Sequence, residues 1–121
     1  MSEATDEARW SDLKEIGQGG PETGILSFGD WTVPGRYNPP VLATQNHFLA
    51  SRWIGGGFRV YSIDPVLRST VPLDLSAPFI GMVSVDGDKL SYRPAAYTDD
   101  TRQHKLARYK TIFGKFLDMI S

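Results

Sequence analysis

Acid–base or nucleophilic catalysis most often rests on a histidine oriented by a carboxylate, and this chain has two histidines, His47 and His104. His47 opens a run of strand-forming residues and His104 lies in a basic helical pattern, so neither stands in a catalytic context. Cysteine is absent, which removes disulfides, thiolate nucleophiles and cysteine-based zinc sites. Asp64, Asp74, Asp86 and Asp88 fall at turns and strand ends, where a carboxylate caps backbone N–H groups. Asp86-Gly87-Asp88 has too few oxygen ligands for a calcium loop, which also needs a later bidentate glutamate. The glycine-rich stretch 17–24, GQGGPETG, resembles a phosphate loop only superficially. Such a loop follows a strand and opens a helix, and the P-loop adds Lys followed by Ser or Thr. Here the stretch follows a helical pattern, leads into a strand and holds no lysine. No catalytic residue, metal ligand or cofactor is expected, and the chain reads as a non-enzymatic protein.

Binding chemistry is better represented. Trp31, Arg36, Tyr37, Arg52 and Trp53 are residue types that dominate interface hot spots, and Arg36-Tyr37 lies in a proline-rich loop expected to be exposed. Net charge is −1, unevenly spread: residues 1–30 carry −5, residues 31–88 balance and residues 89–121 carry +4. The acids Glu3, Asp6, Glu7, Asp12 and Glu15, together with Arg36 and Tyr37, form the expected partner-binding set. Carboxylates of this kind raise an association rate, and a central aromatic or arginine anchor slows dissociation. Arg102, Lys105, Arg108, Lys110 and Lys115 would offer phosphates a basic helix face. The near-neutral total charge and the lack of a helix-turn-helix, zinc or RRM signature rank nucleic acid behind protein as the partner.

These residues need elements to hold them. A chain of 121 residues, 40% hydrophobic and 22% charged, falls in the range of ordinary single globular domains rather than disordered or membrane chains. The organising stretch is residues 47–64, HFLASRWIGGGFRVYSID, where β-branched and aromatic runs flank Gly55-Gly56-Gly57, the signature of a β-hairpin. Residues 79–85 and 90–93 flank Asp86-Gly87-Asp88 as a second hairpin. Residues 25–33 read as a first strand, and residues 71–75 as an edge strand, since Pro72 cannot donate to a central ladder. Apolar residues occupy both alternating sets in residues 48–54 and 79–85, which implies a sheet covered on both faces. Two helices are expected to supply the covers. One spans residues 1–17, with Trp10, Leu13 and Ile16 docking and Gly17 as its C-cap. The other spans residues 98–121, capped by Thr98-Asp99-Asp100 and carrying the stripe Leu106, Tyr109, Phe113, Phe116, Leu117 and Ile120. The expected fold class is α+β: one domain over residues 1–121, with an antiparallel meander of four or five strands in residues 25–94 flanked by these helices.

The runs Asn38-Pro39-Pro40-Val41-Leu42-Ala43, His47-Phe48-Leu49-Ala50-Ser51-Arg52-Trp53 and Phe58-Arg59-Val60-Tyr61-Ser62-Ile63-Asp64 resemble a single β-propeller-type blade over residues 38–94. Stand-alone units of this type with flanking helices are similar to the small cytoplasmic immunity proteins that bacteria encode beside toxins. The resemblance implies a protein-binding module that neutralises a toxin by occluding its active site, and it carries over no individual residue. A structural or adaptor subunit of a bacterial or phage assembly is the alternative. The acidic start has no apolar run behind it, and no apolar stretch is long enough to span a bilayer, so the expected location is the cytoplasm, without membrane contact.

Overall fold

The computed structural model describes residues 8–45, 47–95 and 98–106. These form ten strands and no helix: β1 Ala8–Glu15, β2 Glu22–Phe28, β3 Trp31–Thr32, β4 Tyr37–Ala43, β5 Phe48–Trp53, β6 Phe58–Asp64, β7 Ser69–Ala77, β8 Gly81–Asp86, β9 Lys89–Arg93 and β10 Arg102–Lys105. All pairings are antiparallel. Seven strands make one sheet in the order β1-β2-β4-β5-β6-β7, with the short β3 paired to β2, and the other three make a second sheet in the order β10-β9-β8.

The two hairpins expected from sequence are present. β5 and β6 pair from Phe48↔Ile63 to Trp53↔Phe58, closed by a turn in which Ile54 N donates to Gly57 O at 2.9 Å and Gly55 takes φ +88°. β8 and β9 pair around Gly87 at φ +63°. β7 is an edge strand, and its pairing shifts register between Tyr61↔Pro72 and Arg59↔Ser76. The prolines of β4 fall inside another register shift, between Asn38 and Leu42, where no ladder donor is required of them.

The central pair β5–β6 is buried on both faces, as the mixed alternation implied. Residues opposite one another across an antiparallel ladder share a face. One face therefore carries Phe48, Ala50, Arg52, Tyr61 and Ile63, and the other Leu49, Ser51, Trp53, Phe58 and Val60. On the first face the large sheet bends back over itself. The Phe28 ring of β2 lies 4.8 Å from that of Phe48, and Tyr37 meets Tyr61 edge-on. On the second face the small sheet closes, with β8 against β4 and β5 and Phe79 edge-on to Phe58. Leu26, Ile63, Leu73, Ile80 and Leu90 are fully enclosed between these layers.

The covers are thus sheets, and the α+β expectation is corrected to all-β. The described part of the expected N-terminal helix is strand β1. Ala8 and Trp10 lie opposite Phe28 and Leu26 with period two, and then a bulge between Ser11 and Lys14, with Asp12 at φ +52°, adds one residue. That slip breaks the period and leaves apolar residues at spacings that imitate a helix. Leu13 lies over Gly24, where a Cβ would come within 2.5 Å of Leu13 Cδ2, so the bulge and that glycine fit together. At the other end Asp100 N does donate to Thr98 Oγ1 at 3.1 Å, but the chain goes on as β10, paired with β9, and Leu106 packs on the core from its end. The remainder of the expected C-terminal helix, residues 107–121, lies outside the described residues.

Because Phe58 is 1% exposed and stands under the second sheet, Phe58→Ala is expected to cost about 3–5 kcal/mol. Val83→Ala, at an exposed position of β8, should change stability by less than ~0.5 kcal/mol. Urea denaturation midpoints of the two variants check both.

Candidate functional site

The expected partner-binding set is divided by the fold. Glu3, Asp6 and Glu7 lie outside the described residues. Tyr37 is completely buried. Its hydroxyl donates to Pro34 O at 2.9 Å, and burial pushes its pKa up to about 12. Arg36 turns back into the protein. Its Nε donates to Thr23 Oγ1 at 3.1 Å, Nη1 to Asp12 Oδ2 at 2.8 Å, and Nη2 to the carbonyls of Asp12 at 2.6 Å and Thr23 at 2.9 Å. The Arg36 hydrogen bond, and then Lys14 at 3.9 Å, hold the Asp12 carboxyl below its ordinary value. Glu15 stays exposed at the end of β1. Tyr37 therefore presents no surface to a partner, and the partly exposed Arg36 is engaged with Asp12 and Thr23.

The other hot-spot types are also engaged. The Arg52 guanidinium lies over the Tyr61 ring at 5.1 Å and fills the space beside Gly35, where φ is +98° and a Cβ would collide with Arg52 Nε. Trp53 stacks at 5.2 Å on Phe58, and Trp31 packs against the core. Arg102, Lys105 and His104 sit on β10, so the basic helix face expected there is a strand in its described part.

Among the described residues the most exposed large hydrophobics, Val66 and Leu67, stand side by side in the turn between β6 and β7, with Ile54 (51%) next. Val66 is 77% exposed and Leu67 52%, although turn apices are normally built from Gly, Asn, Asp and Ser. The backbone under these two aliphatics is pinned. Asp64 Oδ1 accepts from Val66 N at 2.9 Å and Leu67 N at 3.1 Å. Arg68 takes φ +53°, a left-handed conformation that non-glycine residues adopt at a cost. Its guanidinium pairs at 2.5 Å with Asp30 on the neighbouring β2–β3 turn, which Arg9 holds through Gly29 O. Beneath the apex, His47 Nε2 stands 3.9 Å from Asp64 Oδ2, with both side chains under 10% exposed. That is beyond hydrogen-bond reach, and Nε2 has no partner. Ser51 Oγ is likewise buried without one.

The capping role expected of Asp64 is realised, while the Val66-Leu67 apex escaped the sequence reading. The available signal was two aliphatics between Pro65 and Arg68, in a connection too short to reach the core. A shallow depression of about 430 Å³ lies at the β5–β6 turn, walled by Ile54, Phe58, Ala77, Pro78 and the glycine backbone. No titratable side chain lines it. Among the described residues no three His, Asp or Glu side chains converge as a metal site, and no helix is long and apolar enough to cross a membrane. Comparison with protein-family models, curated proteins and solved structures finds no significant match.

The two shifted groups act on opposite limbs of the pH profile. Tyr37 holds its proton more tightly in the fold, so its contribution is complete below about pH 10, where a free tyrosine ionises, and is lost as pH rises towards about 12. Denaturation series should show wild type losing stability over that interval more steeply than Tyr37→Phe. Asp12, with its lowered value, contributes fully above the ordinary carboxylate range, and that contribution disappears as pH falls through the lowered value. Asp12→Asn should flatten this acid limb only slightly, because the carboxylate is solvent-exposed.

Proposed function

We propose that the chain is a non-enzymatic protein-binding module that docks through the β6–β7 turn and works by covering a surface of its partner. The supporting observation is the exposed Val66-Leu67 pair on a backbone fixed by Asp64, Arg68 and Asp30. An apolar anchor that is already ordered loses little conformational freedom on binding, so more of its burial appears as affinity. The blade-like run of residues 38–94 supports a toxin-neutralising form of this role. The alternative is an adaptor subunit that uses the same apex as a plug in an assembly.

A photoreactive phenylalanine analogue placed at position 66, and separately at position 83, tests the reading in the source cells. A discrete protein adduct is expected at 66 and not at 83. Leu67→Asp should weaken it by about thirtyfold or more, the loss of one hot spot of about 2 kcal/mol, with an unchanged far-ultraviolet circular dichroism spectrum. Equal labelling at both positions, or labelling indifferent to Leu67→Asp, refutes docking through this turn.

A further inference from the structure

We propose that His47 and Asp64 form a proton-operated clasp beneath the β6–β7 turn: when His47 takes up a proton, its imidazole closes onto Asp64 and stiffens the Val66-Leu67 apex. The purpose of the clasp rests on the docking role of that apex, whereas its existence is tested without any partner.

The geometry is that of a bond waiting for a donor. His47 Nε2 is buried and unpartnered, and a buried polar atom left in that state costs free energy comparable to a lost hydrogen bond. The nearest charged atom is Asp64 Oδ2 at 3.9 Å. An imidazolium donates from both ring nitrogens, so protonation guarantees a donor at Nε2, and the resulting hydrogen bond joins two charges. A short approach of the ring completes it, because the backbone under the ring is already fixed. Thr44 N and Oγ1 donate to His47 O at 2.8 and 3.0 Å, and His47 N donates to Thr44 Oγ1 at 2.9 Å.

Among the described residues no other charged side chain is paired with His47. Leu49 of β5 and Ser62 of β6 share its face, Ser69 of β7 stands opposite Asp64, and β8 turns Met82 inward, while Thr44 of the same turn is uncharged. Among the described residues Asp64 is the charged group that pairs with His47. The coupling to the apex is direct, since the other oxygen of the same carboxylate holds the Val66 and Leu67 amides. Anchoring Oδ2 removes the rotation of the carboxylate that would release them.

Amide hydrogen exchange of Val66 and Leu67, followed by NMR and referred to intrinsic rates, reads the clasp between about pH 7.5 and 5.5, where histidines ordinarily change charge. In wild type the protection of both amides should rise by about tenfold or more on acidification, the lower end of what a charge-assisted bond supplies. His47→Gln should remove the rise. Asp64→Asn should remove it too while keeping a side-chain oxygen for the two amides, so it decides the matter even where His47→Gln does not fold. A wild-type profile parallel to that of Asp64→Asn, or protection that falls on acidification, overturns the clasp. Position-66 labelling separates the two ideas: lost labelling with an intact exchange response removes the docking role alone, and intact labelling with a flat response removes the clasp alone.

Discussion

The central constraint of this structure is that β6 has no solvent face. Phe58, Val60 and Ser62 point one way, Tyr61 and Ile63 the other, and only Arg59 and Tyr61 keep partial exposure. A strand buried on both sides obliges the rest of the chain to supply two covers, because neither apolar set can be left in water. The chain meets this twice with sheet. It bends the β2 end of the large sheet back over one face and lays β8, β9 and β10 on the other. The closed ladders satisfy the backbone groups that such burial removes from water.

That arrangement places what is distinctive at the strand ends. The arginines and tyrosines that look like binding residues are consumed in building the bend. Arg36 ties β1 to β2, Arg52 lies on Tyr61, and Arg59 Nε donates to Leu73 O at 2.9 Å. At one end of the sheet the β2–β3 and β6–β7 turns are linked by Arg68 and Asp30, and there the chain shows aliphatic side chains to solvent. Turns on a rigid scaffold are where proteins commonly put recognition.

Both hairpins, the edge position of the Pro72 strand and the two-sided burial of the β5–β6 pair were legible in the sequence, since each rests on a local rule of turn chemistry or alternation; the same alternation in residues 79–85 misled, because β8 leaves Val83 46% exposed. The identity of the covers was not. Ala8, Trp10, Leu13 and Ile16 imitate helical spacing because one extra residue at Asp12 shifts the period midway along β1, and a bulge announces itself only against its partner strand. Arg36-Tyr37 read as exposed because prolines surround it, yet exposure was decided by β1 and β2, some 13 to 24 residues away in the chain. The role of Asp64 was visible as a turn cap. The hairpin of residues 47–64 also places His47 beside Asp64 at its open end, but the burial of both side chains depends on strands distant in the chain and was not legible.

The join between β2 and β4 gives the molecule a seam. Along the path β1-β2-β4-β5-β6-β7 each other neighbouring pair is held by a ladder of several residues, whereas here the register consists of Gly24↔Tyr37 alone. Side chains do the work of the missing rungs, with Arg36 bonded to Asp12 and Thr23, and Asn38 Nδ2 to Glu22 O at 2.6 Å. The attachment of the first three strands therefore depends on a few polar contacts and on Phe28, Leu26 and Trp10 rather than on continuous backbone pairing. Local opening along this line exposes two unpaired strand edges at once.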